Sequence, residues 1–225
     1  WLTAERAGRP ETELEKGAIS ERRWRPFCLR CSGKPGRLPT CSKGHSKAAL
    51  AVIGVLMISA DIKAKVRRAR AKDCVALTRI FAESWRLAYR GIIPNAHLEC
   101  LLGRRGETWW KKAIRTESHL LVIEAGGKVV GYASCGLSRG HAVYKGEIFE
   151  LYLDPLYQGL GLGEYLFEAC RAELDKRNLD GLLVWALEDN DSAAQFYWRR
   201  GGRTVARSTV AFGATKLGKI AYAWR

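Results

Sequence analysis

From residue 57 to the C-terminus the sequence predicts a single α/β domain, with a mixed central sheet of about seven strands flanked by about four helices. Three observations carry that reading. Stretches of strand-like alternation rich in Val, Ile and aromatic residues are interleaved with stretches whose apolar residues recur at helical spacing. The segment "GLLVWALE" (181–188) is apolar almost throughout, as a strand covered on both faces has to be. Finally, "EIFELYLDP" passes through a glycine-rich turn, "YQGLGLG", directly into "EYLFEACRAEL", so a strand, a tight turn and a helix come in immediate succession.

In chain order, a first strand near Ala64–Arg70 leads through Asp73, a suitable helix cap, to a helix from about Val75 to Tyr89. Its Leu77, Ile80, Phe81 and Trp85 share one face. "GIIPNAHLECLL" turns at Pro94 into a second, short helix. "HLLVIEAGGKVVGYASCGLS" reads as a hairpin, with strands at about 119–125 and 128–138 turned at Gly126 and Gly127. "KGEIFELYLD" is the fourth strand, and the helix after the glycine turn places Leu166, Cys170 and Leu174 on its inner side. The fifth strand is 181–188. A fourth helix carries Ala194 to Arg200, and two strands, about Arg203–Phe212 and Leu217–Trp224, complete the sheet.

With 225 residues, 47% of them hydrophobic, the chain can bury a full core. Its longest apolar run, "AALAVIGVLMISA" (48–60), falls short of the roughly 20 residues that a bilayer-spanning helix needs. No membrane anchor is expected, and the protein is expected to be cytoplasmic. The chain begins with Trp1, and its single methionine is Met57. Residues 1–56 are rich in Arg, Gly, Pro, Ser and Lys without a sustained period, so they are expected to be a basic, flexible extension or sequence translated from upstream of the true start. That extension holds 11 Lys or Arg against 5 Asp or Glu, a net of +6, and residues 57–225 hold 27 against 18, a net of +9.

A basic balance favours anionic partners without naming one. The runs "KVRRARAK" (65–72) and "WRRGGR" (198–203) read as solvated faces, and no nucleic-acid-binding fold signature accompanies them. Of seven cysteines, Cys74, Cys100, Cys135 and Cys170 sit in apolar patterns and read as small hydrophobes of a reducing compartment. Cys28, Cys31, Cys41 and His45 have the chemistry of four zinc ligands, but their C-x2-C-x9-C-x3-H spacing matches no common zinc pattern and their segment looks unstructured, so no metal is expected.

Each of Gly159, Gly161 and Gly163 weakens the helix it opens by roughly 0.5–1 kcal/mol, so the turn needs a reason. A dinucleotide fingerprint would place its third glycine one position later, where Glu164 stands, and an NTPase loop would continue with Lys and Ser or Thr, which are missing. What remains is Q-G-x-G-x-G at a helix start, where bare backbone N–H groups can meet a bulky anion such as a phosphate.

Gln158, Gly159, Gly161 and Gly163 resemble the acyl-CoA pyrophosphate loop of the GNAT superfamily of N-acetyltransferases. "NDSAAQFYWRRGG" (190–202) is similar to that family's N-x-x-A-x-x-F-Y-x-x-x-G segment through Asn190, Ala193, Phe196, Tyr197 and Gly201, and "ESWRLAYRGIIP" (83–94) resembles the helix and loop that open many members. Together these segments cover roughly residues 62–225. The resemblance implies that strands four and five splay apart and that acetyl-CoA is the co-substrate, its pantetheine arm lying in the gap. It implies that Gln158 and the amides of Gly159, Leu160, Gly161, Leu162 and Gly163 hold the diphosphate. Asn190 would bind the arm, and a backbone N–H among Leu151, Tyr152 and Leu153 would face the thioester oxygen.

The acceptor implied is a primary amine of a small molecule or of a protein N-terminus, attacking directly. An amine with a pKa of about 10.4 costs roughly 4.6 kcal/mol to deprotonate at pH 7, so a general base is useful. Glu147 matches the family's catalytic glutamate, with Glu150 three residues on, and strand alternation predicts that the two point to opposite faces. Tyr197 matches the position of the acid that protonates the leaving thiolate. Glu83, Trp85 and Tyr89 lie beside the loop that commonly walls the acceptor pocket. Neither a nucleic-acid nor a membrane partner is implied, and a homodimer is left open. Two readings from other classes stay in view: a CoA-binding regulatory domain without turnover, and a basic nucleic-acid-binding protein on the same scaffold.

Overall fold

The computed structural model describes residues 63–116, 119–140 and 143–225; Cys28, Cys31, Cys41, His45 and the apolar run 48–60 lie outside the described residues. Seven strands form one sheet: β1 (Ala64–Arg68), β2 (Leu120–Ala125), β3 (Lys128–Leu137), β4 (Gly146–Leu153), β5 (Leu182–Leu187), β6 (Arg203–Phe212) and β7 (Thr215–Trp224). Their order across the sheet is β1-β2-β3-β4-β5-β7-β6. Every neighbouring pair is antiparallel except β4 and β5, which run parallel. The α/β architecture and the strand count follow the expectation from sequence.

The helices are α1 (Cys74–Tyr89), α2 (Asn95–Gly103), α3 (Glu107–Thr116), α4 (Leu162–Asp175) and α5 (Asp191–Arg199). That is one more than expected among the described residues. Helix α3, "ETWWKKAIRT", is short and rich in charge, and buries only Trp110 and Ala113, so its apolar face shows in the sequence as a single i, i+3 pair. Asp73 stands before α1 as expected, but its carboxylate takes the Arg67 guanidinium (2.7 and 2.9 Å) and the Arg70 amide (2.7 Å) rather than a helix N–H. Among the described residues, no helix is long and apolar enough to cross a membrane.

Helices cover both faces of the sheet. On one side α4 and α5 pack Leu166, Phe167, Cys170, Phe196 and Tyr197 against Ile148, Leu151, Leu153 and Val184. On the other, α1, α2 and α3 pack Phe81, Trp85, Tyr89, Leu98 and Trp110 against Val122, Tyr132 and Tyr152. Central β4 is therefore buried on both faces.

Two irregularities of β4 shape the region between these layers. Against β3, Glu150 pairs with Ser134 and Ile148 with Cys135, so Phe149 is an extra residue bulged out of the ladder. Against β5 the ladder holds only three pairs, Gly146–Leu182, Glu147–Leu183 and Ile148–Val184, and stops immediately before that bulge. From Phe149 onward the two strands diverge, which is the splay that the family resemblance implies.

Close packing at β4 yields a test. A Cβ on Gly131 would lie 2.7 Å from the Tyr152 carbonyl oxygen and would also strike the Leu153 and Ile123 side chains, whereas one on Gly103 meets nothing within 4 Å. Gly131→Ala is expected to cost about 1–3 kcal/mol by overpacking. Gly103→Ala is expected to add about 0.4–1 kcal/mol by restricting the unfolded chain. Urea midpoints of the two variants check both signs.

Candidate active site

The glycine turn forms a backbone cradle at the head of α4. Gly159 and Gly161 have φ of 80° and 77°, the left-handed region, and a Cβ on either would meet nothing within 4 Å. Glycine is required here by conformation, while packing leaves the space beside the loop open. Gly161 precedes α4 and no side chain caps the helix. The Tyr165 amide already reaches back to the Gly161 carbonyl (3.1 Å), so the amides of Leu162, Gly163 and Glu164 form the open first turn. Gly163 and Leu162 are buried within that turn and anchor it. Gln158 donates through Nε2 to the Leu153 carbonyl (3.3 Å), fixing the loop to the end of β4. A preformed set of N–H groups at the positive end of a 14-residue helix suits a diphosphate.

The adjoining gap is lined by backbone. Asp154 donates its amide to the Val130 carbonyl (2.8 Å), on the β3 side. Peptide groups alternate sides along a strand, so those of Tyr152 also face β3, while those of Leu151 and Leu153 face the opening toward β5. Of the three residues expected to bind the acyl group through the backbone, Leu151 and Leu153 have the right orientation. Tyr152 contributes its side chain to the α1 face, with its hydroxyl 3.3 Å from that of Tyr89.

The expectation that Glu147 and Glu150 point to opposite faces is overturned. The extra residue at Phe149 shifts the alternation, so Ile148 joins Leu151 and Leu153 on the α4 side, while Glu147 and Glu150 share the α1 side with Tyr152. Both carboxylates are buried, and each is held by an arginine from a loop that the sequence reading passed over. Arg139, between β3 and β4, binds Glu147 through its backbone N–H (2.9 Å) and its guanidinium. Arg105, between α2 and α3, binds Glu150 at 2.7 Å, with its guanidinium 4.6 Å from the ring centres of both Phe81 and Trp109. Burial works against the Arg105 charge, but the Glu150 carboxylate, together with Tyr132 and Tyr152, offsets it, and the guanidinium is held above its ordinary value. "GRRGETWW" (103–110) was the available signal: adjacent cations bracketed by glycines and followed by two tryptophans.

A third cation on this face also went unremarked. Lys219 of β7, paired with Leu187, is 4% exposed, and its Nζ lies 4.4 Å from the centre of the Trp185 ring. Burial pushes its ammonium down to about 8; the Glu147 carboxylate opposes that shift and Arg139 reinforces it.

The other expected residues fall into two groups. Trp85 and Tyr89 are buried in the α1 layer against Tyr152, forming the wall beneath Glu150. Glu83 lies on the exposed side of α1, paired with Arg79 (2.7 Å), which also holds Asp154 (2.6 Å) at the end of β4. On the opposite layer Tyr197 is buried among Phe167, Tyr222 and Trp224. Asn190 caps α5, its Oδ1 accepting from the Ala193 amide at 3.1 Å. Tyr197 and the two glutamates thus lie on opposite faces of the sheet. Among the described residues, no group of three or more His, Cys, Asp or Glu could hold a metal ion.

These charges make two predictions. Arg105→Ala leaves the Glu150 carboxylate buried without its cation and is expected to cost about 3–5 kcal/mol, while Arg105→Met combined with Glu150→Gln recovers most of that loss in chemical denaturation. For Lys219 the folded-state value of about 8 lies below the ordinary 10.5. The unfolded chain therefore binds more protons between these values, and stability rises with pH across that window. Lys219→Met is expected to be more stable than the wild type below pH 8, with an advantage that shrinks toward pH 10.5, as thermal melts across the range would show.

The described geometry agrees with comparisons to known proteins. Residues 75–201 match the model of the Acetyltransferase (GNAT) family. An uncharacterized N-acetyltransferase of Bacillus subtilis, YuaI, is 28% identical over 160 residues, which cover 71% of this chain and 91% of that protein. The spermidine N(1)-acetyltransferase of Thermoplasma acidophilum is 21% identical over 143 residues, covering 61% of this chain and 86% of that one. In fold, the chain resembles the crystal structure of PaiA N-acetyltransferase from Thermoplasma acidophilum in complex with coenzyme A, with a TM-score of 0.58, 18% identity, and coverage of 70% of this chain and 98% of that one. With a family model spanning more than half of its length and the strand gap and glycine cradle in place, the chain belongs to the GNAT family of acetyltransferases.

Proposed function

We propose that the chain moves an acetyl group from acetyl-CoA to a primary amine by direct attack. The observation that carries this reading is the juxtaposition of the glycine cradle with the parting of β4 and β5, so that an anion site opens straight into a backbone-lined gap. When bound, acetyl-CoA supplies an acyl group already activated as a thioester. The amides of Gly159 to Gly163 hold its diphosphate, and the positive end of α4 adds to their attraction. The Leu151 and Leu153 amides face the arm, and whichever lies nearest the thioester oxygen stabilises the charge that develops there. Tyr197 donates a proton to the departing sulfur, whose conjugate acid has a pKa of about 8.5.

On the α1 face Glu147 and Glu150 draw an amine toward the gap and take its proton, directly or through water. The arginine beside each carboxylate fixes its position, which suits orienting an incoming amine. A small amine is the acceptor we favour, and the similarity to a spermidine acetyltransferase supports it. A protein N-terminus is the other acceptor that the chemistry admits.

A panel of polyamines, simple amines and peptide N-termini, each incubated with acetyl-CoA, tests the proposal. Turnover with a small amine is the expected result, and tight acetyl-CoA binding without turnover on any acceptor would favour a regulatory CoA-binding domain. With an acceptor in hand, Tyr197→Phe is expected to lower kcat by about a hundredfold to ten-thousandfold while leaving acetyl-CoA affinity nearly unchanged, because the lost proton transfer belongs to the transition state.

A further inference from the structure

We propose that Lys219 is a site of self-acetylation, its Nζ taking the acetyl group from acetyl-CoA held in the gap between β4 and β5. The inference rests on the acetyl-CoA reading above and adds a second acceptor, one that belongs to the chain itself.

Position is the first argument. The β4–β5 ladder ends at Ile148–Val184, so Trp185 is the first residue of β5 beyond the last pair. The Lys219 Nζ lies 4.4 Å from the Trp185 ring, on the sheet face that carries Glu147. It therefore sits at the closed end of the gap. The glycine cradle follows the opposite end of β4, beyond Leu153. From Leu153 back to Phe149 the strand rises by roughly 13 Å at about 3.3 Å per residue. A pantetheine arm is an extended chain of comparable length, so an arm laid along β4 from the cradle brings its thioester to the place where the strands meet.

Chemical state is the second argument. A lysine attacks only when neutral, and an ordinary lysine in water is almost wholly protonated near neutral pH. At Lys219 burial destabilises the ammonium and Arg139 adds to that, lowering its pKa to about 8 against the pull of Glu147. On the same face Glu147 accepts from the Arg139 backbone N–H and guanidinium. Near pH 7.5 about a quarter of Lys219 is neutral, against about a thousandth for a lysine at 10.5. With 4% of its surface exposed, Lys219 is screened from bulk reagents but adjacent to the gap through which a thioester would arrive.

The step balances without any further reactant. The neutral Nζ forms a bond to the acyl carbon as the carbon–sulfur bond breaks, coenzyme A leaves as a thiolate, and the proton lost from Nζ ends on that thiolate. The products are an acetamide at Lys219 and free coenzyme A. The acetamide removes a positive charge from beside Glu147 and Arg139 and fills the closed end of the gap, so modification would limit use of the site by an external amine.

The test uses the full chain and acetyl-CoA with no acceptor added, followed by peptide mass spectrometry, with calorimetry of acetyl-CoA in parallel. Lys219 is expected to gain one acetyl group at an initial rate roughly a hundredfold above that of exposed Lys216 on the same strand. Excess free coenzyme A is expected to suppress the reaction at Lys219 and leave Lys216 unaffected, and Lys219→Arg abolishes modification at that position alone. Acetyl-CoA binding without modification of Lys219, modification no faster than at Lys216, or modification indifferent to free coenzyme A would each overturn the inference and leave the proposed function standing. A failure of acetyl-CoA to bind would overturn both.

Discussion

A strand at the centre of a buried sheet ordinarily satisfies its backbone on both sides, because an unpaired peptide group away from water costs about as much as a lost hydrogen bond. β4 departs from that rule over half its length. Three residues pair with β5, one residue bulges, and the rest of the strand turns its Leu151 and Leu153 peptide groups away from β3 with no strand to receive them, the Leu153 carbonyl being taken up by Gln158. The surrounding architecture makes this tolerable: β3 secures the other edge through seven residue pairs, and helices cover both faces. The same departure from regular pairing opens the gap and turns both glutamates to one side. A single inserted residue thus sits where the two strands part and sets the side on which both carboxylates lie.

The face that receives the glutamates is unusually polar for the interior of a small domain. Glu147, Glu150, Arg105, Arg139 and Lys219 meet there, and the aromatic rings of Phe81, Trp109 and Trp185 lie against the cations. Buried charge survives only with partners and hydrogen bonds, and each carboxylate has an arginine. Burial bears hardest on the charge of Lys219, with Glu147 opposing the shift and Arg139 reinforcing it. The arrangement keeps the carboxylates fixed and leaves one nitrogen able to change its state.

How much of this was legible in the sequence depended on the range of the interaction concerned. The cradle was legible because its demand is local: left-handed backbone at Gly159 and Gly161 selects glycine regardless of what surrounds it. The fifth strand was legible because burial on both faces leaves a continuous apolar run. The bulge at Phe149 was not, since a register shift is a relation between two strands and no residue type announces it, and a strict period of two then sent Glu147 and Glu150 to opposite sides. Arg105 and Arg139 were missed for a related reason: adjacent cations and tryptophans stood out in "GRRGETWW", but nothing in a loop names the carboxylate that its arginine will meet. Lys219 falls between them: its place among apolar neighbours in "KLGKIAYAW" was visible, but the carboxylate, the guanidinium and the ring around it come from three other segments.

The glycine cradle has a consequence for how the two halves of the site respond to their surroundings. Its donors are peptide amides, which neither gain nor lose protons in the range where proteins remain folded; two left-handed glycines set their directions, and the Gln158 side chain ties the loop to β4. On the function proposed above, the anion-holding loop is consequently indifferent to acidity, so residues 160 and 162 can change within the limits of packing without altering what it offers. Sensitivity to pH would then reside in side chains elsewhere, in Tyr197 and among the carboxylates, arginines and lysine across the gap. On that reading a lineage could retune the acceptor side without disturbing an anion grip written into the backbone.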